Sequence, residues 1–251
     1  MKAIHSLAML VAAVALLVLN TPVQAENMDS RIESSARQSY VFKTYLQNDD
    51  IKIESKEGAV TLTGMVAENF HKSLAQETVA GLPGVKSVDN RLEVKGAFPT
   101  ANSDAWLREK VRVTLLFHRS VSAATTEVDV KDGIVTLRGE AASQAQKELT
   151  TEYAKDVEGI KEVNNEMSVA KTPKKGRTVG EKIDDASITA QVKMTLLSHH
   201  STSAINTKVE TKHGKVTLYG KARNAAEMNL ATKLASDVNG VTAVKNRMVI
   251  E

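Results

Sequence analysis

The stretch Val128-Asp129-Val130-Lys131-Asp132-Gly133-Ile134-Val135-Thr136-Leu137-Arg138-Gly139 decides the fold, because the chain writes it three times. Residues 53–64 and 209–220 repeat it with the same glycine spacing, and each copy ends on Val-Thr-Leu-x-Gly. A further glycine follows twenty residues on in every copy. The resulting triplets are Gly58/Gly64/Gly84, Gly133/Gly139/Gly159 and Gly214/Gly220/Gly240, offset by 75 and then 81 residues. Downstream, Val85/Ile160/Val241, Val88/Val163/Val244, Asn90/Asn165/Asn246 and Val94/Val169/Ile250 keep the same register. A period held that strictly marks one structural unit repeated in tandem.

Alternation within the stretch predicts a hairpin with one buried face. Ile53, Val60 and Leu62 point inward, and Thr61 and Thr63 outward. Gly58, Gly133 and Gly214 fall in the turn and are expected to supply positive φ there. The remaining glycines are expected to be turn and cap residues. Upstream, Leu107, Val111 and Leu115 match Ile188, Val192 and Leu196, and Ile32, Ala36 and Tyr40. Spacing i, i+4, i+8 places each set on one helical stripe. A second helix is predicted near 68–80, 143–156 and 224–237, followed by a third strand. The class is therefore α+β: three tandem α-β-β-α-β modules at 29–95, 104–169 and 183–250, each a small three-stranded sheet packed on two helices. Residues 96–103 and 171–180 read as linkers.

The hairpin phrase and the downstream Gly-[Val/Ile]-x-x-Val-x-Asn resemble the BON domain, over nearly the whole chain after residue 25. The resemblance implies an α-β-β-α-β sandwich and an envelope protein associated with osmotic stress, anionic phospholipid and outer-membrane integrity. Three modules without an acylated cysteine look like the soluble osmotic-stress branch of that family, rather than its lipoprotein branch.

Composition narrows the alternatives. The chain of 251 residues has no cysteine, which excludes thiolate nucleophiles, Cys-ligated metal and redox motifs. Its net charge of +3 is too small to imply a nucleic-acid partner. The last third is nevertheless basic, with 14 Lys and Arg against 7 Asp and Glu over 171–251. Residues 1–25 have the layout of a secretory signal peptide: Lys2, the apolar run Leu7 to Leu19, and Val23-Gln24-Ala25 before a cleavage point after Ala25. A run of that length falls short of the ~30 Å hydrocarbon core. The expected destination is the periplasm, with no transmembrane segment in the mature protein.

Catalytic and metal-binding motifs are missing from the sequence. The spacings H-E-x-x-H, G-x-S-x-G and the phosphate-loop fingerprints do not occur. His118 and His199 align between modules, where the first module has Lys43, and His199-His200 reads as a solvated helix end. The repeated pairs Glu54/Lys56, Asp129/Lys131 and Glu210/Lys212 read as exposed ion pairs of little energetic weight. No catalytic, cofactor or metal site is expected, and the chain reads as non-catalytic.

The second module departs from its sisters on its first helix. At 100° per residue, Trp106, Lys110, Val113 and Phe117 form a stripe away from the core stripe. The other modules place Ser187, Gln191, Met194 and Ser198, or Arg31, Ser35, Gln38 and Phe42, at the same positions. The motif Asp104-x-Trp106-Leu107-x-x-Lys110-Val111-Arg112 resembles the equivalent helix of lipid-binding BON proteins, which implies contact with anionic phospholipid there. Three readings of Trp106 stand at this point: a headgroup contact, a Trp buried between modules, or simple exposure. The expected membrane- or partner-binding residues are Trp106, Arg108, Lys110, Arg112, Val113 and Phe117, with the basic segment Lys171, Lys174, Lys175, Arg177 and Lys182. The expected partner is an anionic phospholipid surface; the alternative is a periplasmic chaperone or adaptor that binds client proteins.

Overall fold

A computed structural model describes residues 21–96, 99–121, 123–170, 182–202 and 207–251. In the first module a helix α1 (Thr21–Gln38) and a short α2 (Tyr40–Thr44) precede strands β1 (Asp50–Lys56) and β2 (Ala59–Val66), helix α3 (Asn69–Ala80) and strand β3 (Ser87–Val94). The second has α4 (Asp104–Leu116), β4 (Thr126–Lys131), β5 (Ile134–Ala141), α5 (Gln144–Lys155) and a third strand in two pieces, β6 (Glu162–Asn165) and β7 (Ser168–Val169). The last repeats this with α6 (Asp185–Ser198), β8 (Thr207–Lys212), β9 (Lys215–Ala222), α7 (Ala225–Ser236), β10 (Ala243–Asn246) and β11 (Val249–Ile250). The α+β architecture of three tandem modules is the one the repeat predicts. Most of the signal-peptide segment (1–20) and all of 171–181 lie outside the described residues; Thr21 to Ala25 belong to α1.

Each sheet has the second hairpin strand at its centre. β2 pairs antiparallel with β1, Ile53 opposite Leu62, and parallel with β3, Val60 opposite Val88. Parallel pairing requires a crossover, and α3, α5 and α7 supply it. Ile53, Val60 and Leu62 are buried, as are Val128, Val135 and Leu137 and then Val209, Val216 and Leu218. At the hairpin tips both central residues have positive φ, as a two-residue type I′ turn requires: Glu57 and Gly58, Asp132 and Gly133, His213 and Gly214.

Two expectations need correction. Gly64, Gly139 and Gly220 are neither turn nor cap residues; they sit inside β2, β5 and β9 with φ of +118°, +122° and +132°. A Cβ on Gly139 would lie 2.0 Å from the Thr125 carbonyl oxygen, so close approach of the paired strand demands glycine. Secondly, the first helix of module one does not run on to Tyr40 as a core residue. Ser39 breaks it in an extended conformation and its hydroxyl caps α2, so Val41 and Phe42 enter the core in place of Tyr40.

The modules are packed together rather than strung on linkers. Val113 and Phe117 of the second module and Ala186, Ala190 and Met194 of the third belong to the same apolar cluster as Ile32, Val41, Phe42, Leu74 and Val79 of the first. Helix α6 is buried on nearly all sides as a result. Gly81, at the C-cap of α3, lets that helix approach the Ala186 backbone closely. Asp184 and Ser187 accept the free backbone N–H groups of Tyr40 and Val41 at 2.8 and 3.1 Å, and Lys193 pairs with Glu77 at 2.6 Å.

Candidate binding surface

Helix α4 begins at a Ser103 cap, whose hydroxyl accepts from the Trp106 N–H at 3.3 Å. Asp104 in its first turn takes hydrogen bonds from the backbone N–H groups of Asp132 and Gly133, at 2.8 and 3.0 Å. Those two bonds hold its carboxyl below the usual carboxylate range. Asp29 and Asp185 do the same for the hairpin tips at Gly58 and Gly214. The sequence reading missed these three aspartates, although their spacing of 75 and 81 was visible.

The stripe on α4 divides along its length. Phe117 has no exposed surface and Val113 keeps 6%, both inside the inter-module cluster. These two residues are withdrawn from the expected membrane face: in this packing they are covered by the first and third modules. Trp106 is half-buried, resting on the core of its own module, with the Lys110 ammonium 4.6 Å above its ring. That cation–π pair is open to solvent at the first turns of the helix. Arg108 and Arg112 project from a different side, ~200° and ~240° round from Trp106 at 100° per residue. Their side chains are 46% and 56% exposed; Arg108 lies 3.9 Å from Asp129, and Arg112 lies 3.3 Å from Glu68 of the first module. Glu109 between them has its carboxyl pushed up by burial and then by the Glu68 charge.

Of the basic segment, Lys182 is exposed; Lys171, Lys174, Lys175 and Arg177 lie outside the described residues. The strand-borne carboxylates Glu54, Asp129 and Glu210 are exposed, and Glu210 pairs with Lys208 at 2.7 Å rather than with Lys212. His199 corrects the solvated-helix-end reading. It is buried with His118 between the second and third modules, whereas His200 beside it is exposed. Among the described residues no group of three or more His, Cys, Asp or Glu side chains is arranged to hold a metal ion. No described helix is long and apolar enough to cross a membrane.

Comparison with known proteins agrees with this architecture. The chain is 31% identical over 196 residues to osmotically-inducible protein Y of Escherichia coli (strain K12), covering 78% of this chain and 95% of that one. It is 34% identical over 145 residues to outer membrane lipoprotein DolP of Haemophilus influenzae, covering 57% of this chain and 73% of the relative. A 21 kDa hemolysin of Actinobacillus pleuropneumoniae is 30% identical over 161 residues, or 64% and 73% of the two chains. The family model described as the BON domain matches residues 28–96, 103–171 and 184–251. With three matches that together span most of its length, the chain belongs to the BON-domain family.

Proposed function

We propose that this chain is a non-catalytic envelope protein of the osmotic-stress type that binds anionic phospholipid surfaces peripherally and supports envelope integrity. The observation that carries the reading is the half-buried Trp106–Lys110 pair, partly open to solvent at the start of α4. An amphipathic indole beside a cation suits the headgroup layer. Arg108 and Arg112 add positive charge on another side of the same helix, ~200° and ~240° round from Trp106. Basic residues next to an anionic surface contribute about 1 kcal/mol each, which gives Lys171, Lys174, Lys175, Arg177 and Lys182 a part in the same attraction. A periplasmic location follows from the signal-peptide reading of residues 1–25. The name of one relative, an outer membrane lipoprotein, supports an envelope location, and that of another, an osmotically-inducible protein, supports the stress association. The alternative, capture of client proteins on an apolar stripe, loses ground because Phe117 and Val113 are already covered.

Liposome co-sedimentation with and without anionic lipid tests the proposal. Trp106→Phe keeps most of the packing against the second core and removes the amphipathic ring, so binding to anionic vesicles should weaken by on the order of 1 kcal/mol. Emission from the single tryptophan of the native chain should shift to the blue as vesicles are added. Equal sedimentation with neutral and anionic vesicles, and an unmoved spectrum, would reject headgroup binding.

A further inference from the structure

The second and third modules meet through a pseudo-twofold array that neither the repeat nor the lipid reading explains. His118 follows α4 and His199 follows α6 at equivalent positions, 81 residues apart. Both are 98% buried, and their Nε2 atoms face each other at 3.1 Å. On the far side of each ring, Nδ1 meets a carboxylate from the opposite module: His118 with Asp237 at 3.1 Å, His199 with Asp156 at 2.6 Å. The two aspartates are also 81 residues apart, and each takes a further short hydrogen bond, Asp237 from Ser120 and Asp156 from Ser201. Backbone bonds close the same seam: Arg119 N–H to the Asp237 carbonyl at 2.8 Å, and His200 N–H to the Asp156 carbonyl at 3.0 Å.

Counting protons shows what this geometry needs. Each carboxylate requires an N–H at Nδ1. With both imidazoles neutral, either two lone pairs face each other at the centre or one lone pair faces a carboxylate. With both imidazoles doubly protonated, two N–H groups collide at the centre. One added proton satisfies every contact, with one Nε2 donating and the other accepting. We propose that His118 and His199 form a proton-dependent clasp between the second and third modules, closed by a single proton held between their Nε2 atoms and released on acidification.

The surrounding groups set the direction. From α5 come Asp156 at the C-cap and Tyr153, whose ring stacks on His118 at 4.1 Å and whose hydroxyl donates to Asp237 at 3.0 Å. From the end of α7 comes Asp237; from the segment after α4 come Ser120 and Arg119, the latter 3.7 Å from the Asp237 carboxylate. His200, next in sequence to His199, lies 3.8 Å from Glu158 at the surface. Burial, with the neighbouring His199 charge, lowers the His118 pKa from its usual 6.5 despite the hydrogen bond and charge of Asp237, so a proton on His118 is costly in the closed clasp. A buried site whose folded pKa is lowered takes up that proton more readily once opened, so the clasp loses stability as pH falls below about 6.5. Burial opposes ionisation of Asp156 and Asp237, yet the hydrogen bonds from histidine and serine hold both below the usual 3.8. Their contribution disappears only in stronger acid. Removing the shared proton at high pH restores the lone-pair contact, so the clasp has an optimum rather than a plateau.

The test is a pH series on the whole mature chain, read by imidazole nitrogen NMR, thermal unfolding and small-angle scattering. Near neutral pH both Nδ1 atoms and one Nε2 of the pair should carry a proton, and the other Nε2 should not. Acidification to about pH 5 should protonate both, lower the melting midpoint by several degrees and enlarge the radius of gyration as the two modules part. His118→Gln with His199→Gln should flatten both pH responses. The same protonation state on both Nε2 atoms at neutral pH, or a bare Nδ1 on either ring, would overturn the proposal, and this measurement needs no variant to fold. So would an unchanged radius of gyration between neutral pH and about pH 5, or a double variant that keeps the native pH response.

Discussion

Phe117 of the second module stands edge-on to Tyr45 of the first, with ring centroids 5.4 Å apart and planes at 89°. The third module has Ser198 and Ser201 at the positions of Phe117 and Tyr45, so it offers no such ring pair. Phe117 has no solvent exposure, so its energetic role is that of a core aromatic. Phe117→Ala should destabilise the assembly by about 3–5 kcal/mol and loosen the first module from the other two. Denaturant unfolding followed by tryptophan emission checks this, and a loss below about 1 kcal/mol would place the ring outside the core.

Gly139 is the sharpest single-site test of the hairpin. At φ +122°, with the Thr125 carbonyl oxygen where a side chain would start, alanine has neither the conformation nor the room. Gly139→Ala should cost at least about 1–3 kcal/mol. The same change at Gly96, where φ is +88° but no atom lies within 4 Å of an added Cβ, should cost less. Similar melting midpoints for the two variants would show that steric contact at Gly139 has been overestimated.

Asp104→Asn tests the tie between helix and hairpin. The amide keeps an oxygen for one of the two backbone N–H groups but loses the charge that strengthens both bonds. Because the folded pKa of Asp104 is depressed, its contribution is complete above about pH 4 and is lost as pH falls through the folded value. The variant should therefore melt lower than the native chain at neutral pH, with the gap closing in acid. A gap that widens in acid would reverse this sign.

The flanking arginines probe the lipid reading through salt. Arg108→Gln with Arg112→Gln should weaken vesicle binding more at low ionic strength than at high, since screening shortens their reach to about 8 Å at physiological salt. The ion pairs they lose, to Asp129 and Glu68, are exposed and contribute about 0–1 kcal/mol each, so the fold should survive. Identical binding curves for variant and native protein at low salt would remove the arginines from the proposed surface.

Limited proteolysis distinguishes packed modules from independent ones. Cleavage within 96–103 or 171–180 is expected first, from the linker composition of both segments. The shared cluster around Phe117 and Met194 and the seam around His118 and His199 should then hold the fragments together in gel filtration near neutral pH. Elution of a free second module after a double cut would mean that these interfaces contribute little.

Sequence alone determined each module. Hairpin faces, turn glycines, the helical stripe and the order of elements follow from local periodicity and backbone conformation, which a repeat displays three times over. Even the unread aspartates at 29, 104 and 185 belong to that local grammar, since each bonds a turn in its own module. Tertiary structure decided what covers each face. An apolar stripe at Trp106, Val113 and Phe117 records that water is disfavoured there; it does not record whether lipid or a neighbouring module takes its place. Packing enclosed Val113 and Phe117 among the first and third modules and left Trp106 half-open. The histidines follow the same rule. His118 and His199 lie 81 residues apart in sequence, and their roles depend on Asp237 and Asp156 reaching across from the opposite module. Spacing along one chain carries no trace of that, because the bonds exist only once two modules have docked.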